Sequence, residues 1–175
     1  MFPVFFCYNE FMFYRQYYVS PIGRLSLVAG EEALYGIWLE GQNHFQAGLK
    51  EEELVDISNP ILEVTKKWLD AYFKGDKPSP DDLPLADRGT VFQQKVWSAL
   101  RAIPYGQSSS YGQIGKAISC QSAQAVGTAV GKNPWLMLVP CHRVLPSSGH
   151  LGNYAAGENA KRFLLRLEGL RCDKS

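Results

Sequence analysis

Alternation of apolar and polar positions in the first forty residues predicts three short β-strands. Phe13 to Ser20 is rich in aromatic and β-branched residues and ends at a Pro-Ile-Gly turn signal. Arg24 to Ala29 places apolar residues at every second position, and Leu34 to Leu39 is a third candidate after a Gly-Glu-Glu turn. Because tight turns join these segments, we predict an antiparallel meander.

Farther along the chain the apolar spacing changes to that of helices. The first helix is expected to start at Asn59-Pro60, a second to cover Val91 to Ala102, and the last to run from Glu158 to Glu168 with Gly169 as its C-terminal cap. The stripe predicted to be buried on the first helix is Ile61, Leu62, Trp68, Leu69, Tyr72 and Phe73. The corresponding face of the last helix is Ala160, Phe163, Leu164 and Leu167.

Two short helical segments have helix-turn-helix spacing. Ser110 to Ser119 and Ala123 to Gly131 are separated only by a break around Cys120. The second segment consists mostly of small residues, so its backbone can approach another surface closely. The pattern alone leaves open whether that surface is another helix or a ligand.

An apolar run, Trp135 to Val139, leads directly into Pro140-Cys141-His142-Arg143-Val144. Such a run, bounded by proline, predicts a buried strand that delivers a thiol, an imidazole and a guanidinium at one point. A thiol is a nucleophile only as thiolate, and nearby cations or imidazole lower its pKa. A buried structural cysteine beside a hydrogen-bonded histidine is the alternative, because free cysteine is among the most buried residue types.

Composition divides the chain into two parts. Residues 1–89 contain eight Lys and Arg against fourteen Asp and Glu, whereas residues 90–175 contain ten against three. Lys74 to Pro84 is rich in proline and charge, as linkers are. We predict an N-terminal α/β domain at 1–80, a linker at 81–89 and a second domain at 90–175. Met12 is an alternative start, which would make residues 1–11 an extension.

Charge and cysteine content narrow the function classes. A basic second half favours binding to nucleic acid, although a solvated charged face gives the same composition. The four cysteines, Cys7, Cys120, Cys141 and Cys172, lack the spacing of a disulfide framework or a zinc site. No apolar stretch is long enough to span a membrane, and Met1 to Tyr8 lacks the features of a secretory signal. We therefore expect a reduced, intracellular protein.

The second half resembles the O6-alkylguanine-DNA alkyltransferase family. The positions that carry the resemblance are Gly89 to Gln93, Val96-Trp97, Ile103 to Gly106, Ser110-Tyr111, Ala125 to Gly127, Asn133-Pro134, Pro140 to Val144, Gly152 to Tyr154, Leu164-Leu165 and Glu168-Gly169. The first half is similar only in length and in its strand-rich start. With the patterns above, the resemblance implies a mixed α/β (α+β) fold. An N-terminal three-stranded antiparallel sheet with a helix would precede a helical domain containing a winged-helix-like helix-turn-helix and an active-site strand.

The resemblance also implies a reaction and a set of site residues. Cys141 would accept the alkyl group from O6 of a guanine flipped out of the duplex, and would do so once. His142 would act as its base through a water and be oriented by Glu168, and Tyr111 would donate to the departing base. Asn133 would fix the turn that joins the second short helix to the active-site strand. Contacts to the substrate base would come from Cys141, Val144, Tyr154 and Ala155. Contacts to DNA, in its minor groove, would come from Tyr111, Gln124, Gly127, Arg143 and Ser147.

The resemblance calls for no metal or cofactor and implies a monomer in the cytoplasm, or in the nucleus of a eukaryote. Two positions depart from the family pattern. Gln124 stands where an arginine usually fills the gap left by the flipped nucleotide, and Ala155-Ala156 stand where serine or glycine is usual. Two other function classes stay open: a cysteine hydrolase built on Cys141, His142 and Glu168, and a non-catalytic module that only senses DNA lesions.

Overall fold

The computed structural model describes residues 12–171 of the chain, so the predicted extension at 1–11, Cys7 and Cys172 lie outside the described residues. The three predicted strands are present as β1 (Phe13–Ser20), β2 (Gly23–Ala29) and β3 (Leu34–Leu39), paired antiparallel in sequence order. A fourth strand, β4 (Leu54–Val55), pairs parallel to β1 and was not predicted. Two residues are too few to show an alternating pattern.

Helix α1 (Pro60–Lys74) covers one face of this sheet. Asn59 caps it by accepting a hydrogen bond from the backbone N–H of Leu62 at 2.9 Å, and Pro60 occupies the first turn, where no N–H is needed. The helix ends at Gly75, whose φ of +86° favours glycine. Four of the six residues predicted to form the buried stripe are buried, and Ile61 and Phe73 pack at its edge.

The opposite face of the sheet is covered by the loop at residues 41–49. Gln46 Nε2 donates to Ser26 Oγ on β2 at 2.7 Å, and Arg88 holds the loop through Ala47 O at 2.6 Å. The same guanidinium donates to Tyr35 O at 2.6 Å and lies over the ring of Trp38. Residues 25–29 of β2 are therefore buried on both faces.

The segment predicted as a linker lies against the sheet. The backbone N–H of Leu34 donates to Pro84 O at 2.8 Å, and that of Ala86 donates to Leu34 O at 3.0 Å. One hydrophobic cluster runs from Leu25 on β2 to Leu164 near the C terminus, so the two halves of the chain share a core.

The second half is helical, as predicted. Its elements are α2 (Val91–Arg101), β5 (Ser109–Ser110), α3 (Tyr111–Ala117), α4 (Ala123–Gly131), β6 (Val144–Leu145) and α5 (Glu158–Leu167), with β5 parallel to β6. Helices α3 and α4 form the predicted helix-turn-helix. The turn between them requires Gly115, because a Cβ there would lie 2.6 Å from Cys120 O. No helix within residues 12–171 is both long and apolar enough to cross a membrane.

The apolar run before Cys141 is buried but is not a strand, so the predicted active-site strand is wrong. Trp135 makes one bridge to Ile37, and the chain then turns through Met137, whose φ is +68°. The short range of its hydrogen bonds, such as Val139 N–H to Trp135 O at 3.0 Å, marks it as a turn. An unbroken apolar run reports burial on all sides and does not distinguish a strand from a buried turn.

The last helix presents a slightly different face from the predicted one. Ala160 and Leu164 are buried as expected, but Lys161 and Leu165 are buried as well and Phe163 is 37% exposed. Gly169 follows with φ +85°, and the N–H of Leu170 donates to Leu165 O at 2.9 Å, a Schellman ending. This ending fixes Glu168, the C-cap residue, at the point where the helix meets the 3₁₀ turn Cys141–Arg143.

Candidate active site

Cys141 lies at the wall of a cavity of about 530 Å³ between the two halves of the chain. Tyr111 at the start of α3, Gly127 on α4 and the loop bearing Tyr154 and Ala155 line the same cavity. Cys141 itself is 3% exposed and forms no disulfide. The structure therefore brings residues from four distant parts of the predicted second domain to one cavity.

Two side chains contact the sulfur of Cys141. Asn133 Nδ2 donates to Sγ at 3.1 Å, and the hydroxyl of Tyr154 lies 3.9 Å from it. Burial raises the pKa of the Cys141 thiol, while its hydrogen bonds with Asn133 and Tyr154 and the charge of Lys161 lower that pKa by less. The group is accordingly a thiol that needs a base before it can act as a nucleophile.

His142 and Glu168 form a buried pair behind the cysteine. His142 Nε2 lies 2.7 Å from Glu168 Oε1, and both side chains are fully buried. Burial alone would raise the pKa of Glu168, but hydrogen bonds from His142 and Arg143 outweigh it and hold that pKa well below its usual range. An ionised carboxylate only accepts hydrogen bonds, so Nε2 of His142 carries the proton of this contact.

The other ring nitrogen of His142, Nδ1, has a lone pair that can accept a hydrogen bond. Burial lowers the pKa of His142 more than Glu168 raises it, so the ring is neutral. With the proton on Nε2, Nδ1 is an acceptor. Within residues 12–171 no protein group donates a hydrogen bond to Nδ1, although the atom is buried. The pair therefore presents, one residue from the thiol, a basic nitrogen that can accept a hydrogen bond.

The prediction that Arg143 contacts DNA is wrong. Its guanidinium is only 10% exposed and binds Glu168 through Nε to Oε2 at 2.8 Å and Nη2 to Oε1 at 3.0 Å. Its remaining arm donates to Ile103 O at 2.6 Å. Arg143 counts toward the basic half in sequence, but its donors are turned inward to neutralise the buried carboxylate.

Asn133 holds the turn before Cys141 with both ends of its amide. Oδ1 accepts from the N–H of Trp135 at 3.0 Å, and Nδ2 donates to Val139 O at 2.7 Å. These bonds serve a segment whose backbone cannot pair in a strand. The contact with Cys141 Sγ is an addition that the sequence did not predict.

Of the remaining predicted residues, Tyr111 lines the cavity, whereas Gln124, Val144 and Ser147 are not among the residues that line it. The ring of Tyr111 faces Gly127, where a Cβ would lie 3.7 Å from it, and burial raises the pKa of its phenol. Gln124 is exposed one turn earlier on α4, and Ser147 is exposed in the turn after β6. Val144 is buried, and its carbonyl accepts from Lys161 Nζ at 2.8 Å.

Sequence reasoning missed four residues of this region. Asn43 and His44 come from the loop of the first half that was assigned no role, yet both line the cavity, and Asn43 N–H donates to Ala155 O at 3.2 Å. Tyr72, predicted only as a core residue, donates from its hydroxyl to Glu168 Oε1 at 2.7 Å. Lys161 is 1% exposed beside the site. None carries a local signal, because each depends on contacts between distant parts of the chain.

No metal site accompanies these residues. Within residues 12–171 no group of three or more His, Cys, Asp or Glu side chains is placed to hold a metal ion. The cavity is bordered by the thiol of Cys141 and the phenols of Tyr111 and Tyr154, with the imidazole–carboxylate pair of His142 and Glu168 behind the thiol; His44 and Glu158 also line it.

Two family models match the chain. The model for the 6-O-methylguanine DNA methyltransferase ribonuclease-like domain matches residues 13–86, and the model for the DNA-binding domain of the same proteins matches residues 91–170. Together they cover nearly all of the described residues.

Curated relatives and solved structures agree with these matches. The methylated-DNA–protein-cysteine methyltransferase of Methanosarcina acetivorans is 40% identical over 160 residues, which span 89% of this chain and 98% of the relative. The protein of the same name from Haemophilus influenzae is 38% identical over 158 residues, 89% of this chain and 86% of the relative. The crystal structure of Mycobacterium tuberculosis OGT in complex with DNA superposes with a TM-score of 0.79 at 39% identity, covering 89% of this chain and 92% of that one.

Proposed function

The chain belongs to the 6-O-methylguanine DNA methyltransferase family, and we propose that it repairs O6-alkylguanine in DNA by transferring the alkyl group irreversibly to Cys141. The observation that carries the assignment to this residue is the geometry around it. A buried thiol faces a cavity large enough for a base, and a buried imidazole–carboxylate pair lies directly behind it. DNA is the partner, in keeping with the DNA-binding domain at residues 91–170.

The first step is removal of the thiol proton. His142 Nδ1 takes the proton of Cys141 through a bridging water. The proton on His142 Nε2 stays on that nitrogen and remains hydrogen-bonded to Glu168. The resulting thiolate is stabilised by the amide of Asn133 at 3.1 Å and by the hydroxyl of Tyr154, which then donates to sulfur. Activation therefore depends on the base and on two fixed hydrogen-bond donors.

The second step is the displacement. The thiolate forms a bond to the alkyl carbon as the bond from that carbon to O6 breaks, and the electron pair of that bond goes to the purine. Tyr111 donates a proton to the departing base, and the proton removed from the thiol replaces it, so guanine leaves neutral. The carbonyls of Cys141 and Val144 accept from the exocyclic amine of the base, and the loop at Tyr154 and Ala155 closes over it.

The product is a thioether, which no group near the cavity can hydrolyse, so each molecule acts once. This outcome separates the proposal from both alternatives raised by the sequence. A cysteine hydrolase would regenerate its thiol, and a lesion sensor would bind without gaining mass. The free thiol on which the reaction depends fits the reducing cytoplasm expected from the cysteine content.

Access to the base requires that the nucleotide leave the duplex, at a cost of a few kcal/mol. Helix α4 consists mostly of small residues, lines the cavity through Gly127 and carries the exposed Gln124 one turn before that glycine. We infer that this helix lies in the minor groove and that Gln124 occupies the space of the extruded base. Phosphates would be neutralised by the basic second half of a single protein molecule.

Intact-mass measurement after mixing with a duplex oligonucleotide that carries O6-methylguanine tests the proposal. We expect uptake to stop at one methyl group per protein and to map to the peptide that contains Cys141. The Cys141→Ala variant should bind the same duplex and gain no mass. Repeated turnover, or transfer to Cys120 in that variant, would contradict the mechanism.

A further inference from the structure

Tyr72 links the first half of the chain to the catalytic carboxylate. It lies near the end of α1, is 1% exposed, and its hydroxyl donates to Glu168 Oε1 at 2.7 Å across a separation of 96 positions. The same hydroxyl oxygen is 3.5 Å from His142 Nε2. The phenol is thus in contact with both members of the buried pair.

Aromatic packing fixes the direction of this hydroxyl. The ring of Tyr72 stacks on Trp68 at 5.2 Å between centroids with an interplanar angle of 10°. Tyr105 meets it edge-on at 6.2 Å and 74°. A ring held on two sides cannot turn its hydroxyl toward another acceptor without repacking α1.

The carboxylate of Glu168 accepts hydrogen bonds from donors in three parts of the chain. Oε1 accepts from His142 Nε2, from Tyr72 and from Arg143 Nη2. Oε2 accepts from Arg143 Nε at 2.8 Å and from the backbone N–H of Gly106 at 3.3 Å. Because an ionised carboxylate can only accept, Tyr72 O–H and His142 Nε2–H compete for the same oxygen.

We propose that Tyr72 is a positioning residue of the alkyl-transfer site, whose hydroxyl shares Glu168 Oε1 with His142 and so limits how strongly the carboxylate favours a protonated imidazole. The proposal rests on the function proposed above. It also gives the first half of the chain a part in the chemistry, although Tyr72 does not touch the cavity that receives the base.

The physical reason lies in what a general base must do. A lone carboxylate beside an imidazole favours the imidazolium, which has no lone pair left at Nδ1. A second donor on the same oxygen reduces that preference. Nδ1 of His142 therefore stays unprotonated down to a lower pH. The charged and titratable groups that face this pair are Tyr72, Arg143, Lys161, Tyr105 and Tyr154. Of the two side chains besides His142 that donate to Glu168, Tyr72 can lose its donor without a change of charge, whereas Arg143 cannot.

The test removes one oxygen atom. Tyr72→Phe keeps the aromatic ring, and Tyr105→Phe is the matched control, because the hydroxyl of Tyr105 donates to the backbone carbonyl of Leu167 at 3.2 Å instead of to the carboxylate. Two quantities are measured: the pH dependence of single-turnover methyl transfer from O6-methylguanine duplex, and the protonation state of His142 by ¹⁵N NMR. The chain has three histidines, of which His44 and His150 are exposed and His142 is buried.

In Tyr72→Phe we expect His142 to titrate at higher pH, and the acid limb of methyl transfer to move up with it by roughly half a unit to one unit. Tyr105→Phe should leave the limb in place. A limb that stays unchanged in Tyr72→Phe, or moves equally in both variants, overturns the proposal. So does a wild-type spectrum in which His142 is protonated at Nδ1 near neutral pH, a result that requires no variant to fold. Absence of methyl transfer by the wild-type protein would instead refute the proposed function, whatever the spectrum shows.

Discussion

Replacement of Glu168 by glutamine should lower the stability of the fold and the reactivity of the Cys141 thiol. The carboxylate accepts from His142, Tyr72, Gly106 and, through two arms, Arg143, at distances of 2.7 to 3.3 Å. An amide has one oxygen, and its NH₂ group would face donors. The guanidinium of Arg143 cannot lose its proton to compensate, so the change leaves a buried cation without a counter-charge.

Breaking a buried ion pair by removing one partner costs about 3–5 kcal/mol, whereas a surface pair is worth about 0–1 kcal/mol. Glu63→Gln is the matched control, because that carboxylate pairs with Lys66 at 3.3 Å and is 54% exposed. We expect urea unfolding at neutral pH to show a loss of about 3 kcal/mol or more for Glu168→Gln and a much smaller loss for Glu63→Gln.

The pH dependence has a defined sign. The pKa of Glu168 is depressed in the folded protein, so its contribution is complete above the ordinary glutamate pKa of about 4.3 and is lost as the pH falls below that value. The contribution of Glu168 ionisation to the difference in stability between wild type and Glu168→Gln should therefore be constant from neutral pH to about pH 5 and shrink below it, and the pH dependence that comes from His142 is separate from it. A difference that persists unchanged to lower pH would show that packing, and not charge, accounts for the loss.

The thiol gives a second measurement on the same variant. Without the carboxylate, His142 loses the group that raises its pKa, so it becomes a weaker base. The pH–rate profile of thiol alkylation by iodoacetamide should move to higher pH, and methyl transfer should slow, with little change in DNA affinity. If Glu168→Gln is as stable as the Glu63→Gln control and its alkylation profile is not shifted from that of the wild type, the relay through Glu168 is refuted.

Three further predictions follow from single residues. Gln124→Arg should tighten binding to lesion-containing duplex and steepen the salt dependence of log affinity by roughly 0.9, while the reaction with free O6-methylguanine base stays unchanged; a faster reaction with the free base would place Gln124 in the chemistry. Asn133→Asp should raise the pKa of the catalytic thiol by placing a negative charge where an amide donates at 3.1 Å, and equal iodoacetamide profiles would contradict this. Gly115→Ala should lower stability by about 1–3 kcal/mol in thermal unfolding because its Cβ would meet Cys120 O, whereas Gly131→Ala has open space and should not; equal melting temperatures would contradict the steric account.

Local signals explain which parts of the fold the sequence predicted. Strands β1 to β3 and helices α1, α2 and α4 were predicted within a residue or two, because alternation, helical spacing and caps such as Asn59 act over a few positions. The turn at residues 135–139 was predicted as a strand because an apolar run indicates burial but not the pattern of hydrogen bonds. Its irregular backbone is held by hydrogen bonds with the Asn133 side chain. Strand β4 was missed because it is only two residues long.

The site divides along the same line. Cys141, His142 and Glu168 were predicted from the family resemblance, and their proximity could not be obtained from the spacing of 26 positions between the imidazole and the carboxylate. Arg143 was assigned to DNA because sequence shows a charge but not the direction of its side chain. The Arg143 side chain points inward because it neutralises the buried charge of Glu168 at the end of α5.

The boundary predicted between the two halves does not separate structure from chemistry. Trp135, in the buried turn before Cys141, donates from Nε1 to Leu34 O on β3 at 2.9 Å. Asn43 binds the loop of Ala155 at the cavity, and Tyr72 binds Glu168 behind it. These three contacts reach the segment before the proposed nucleophile Cys141, the loop proposed to cover the base, and the carboxylate proposed to orient the imidazole of His142. Because each contact replaces water at a polar group of the second half, removal of the first half would leave those groups exposed and unheld. The acidic first half therefore supports the proposed reaction centre, while the basic second half contains the DNA-binding domain.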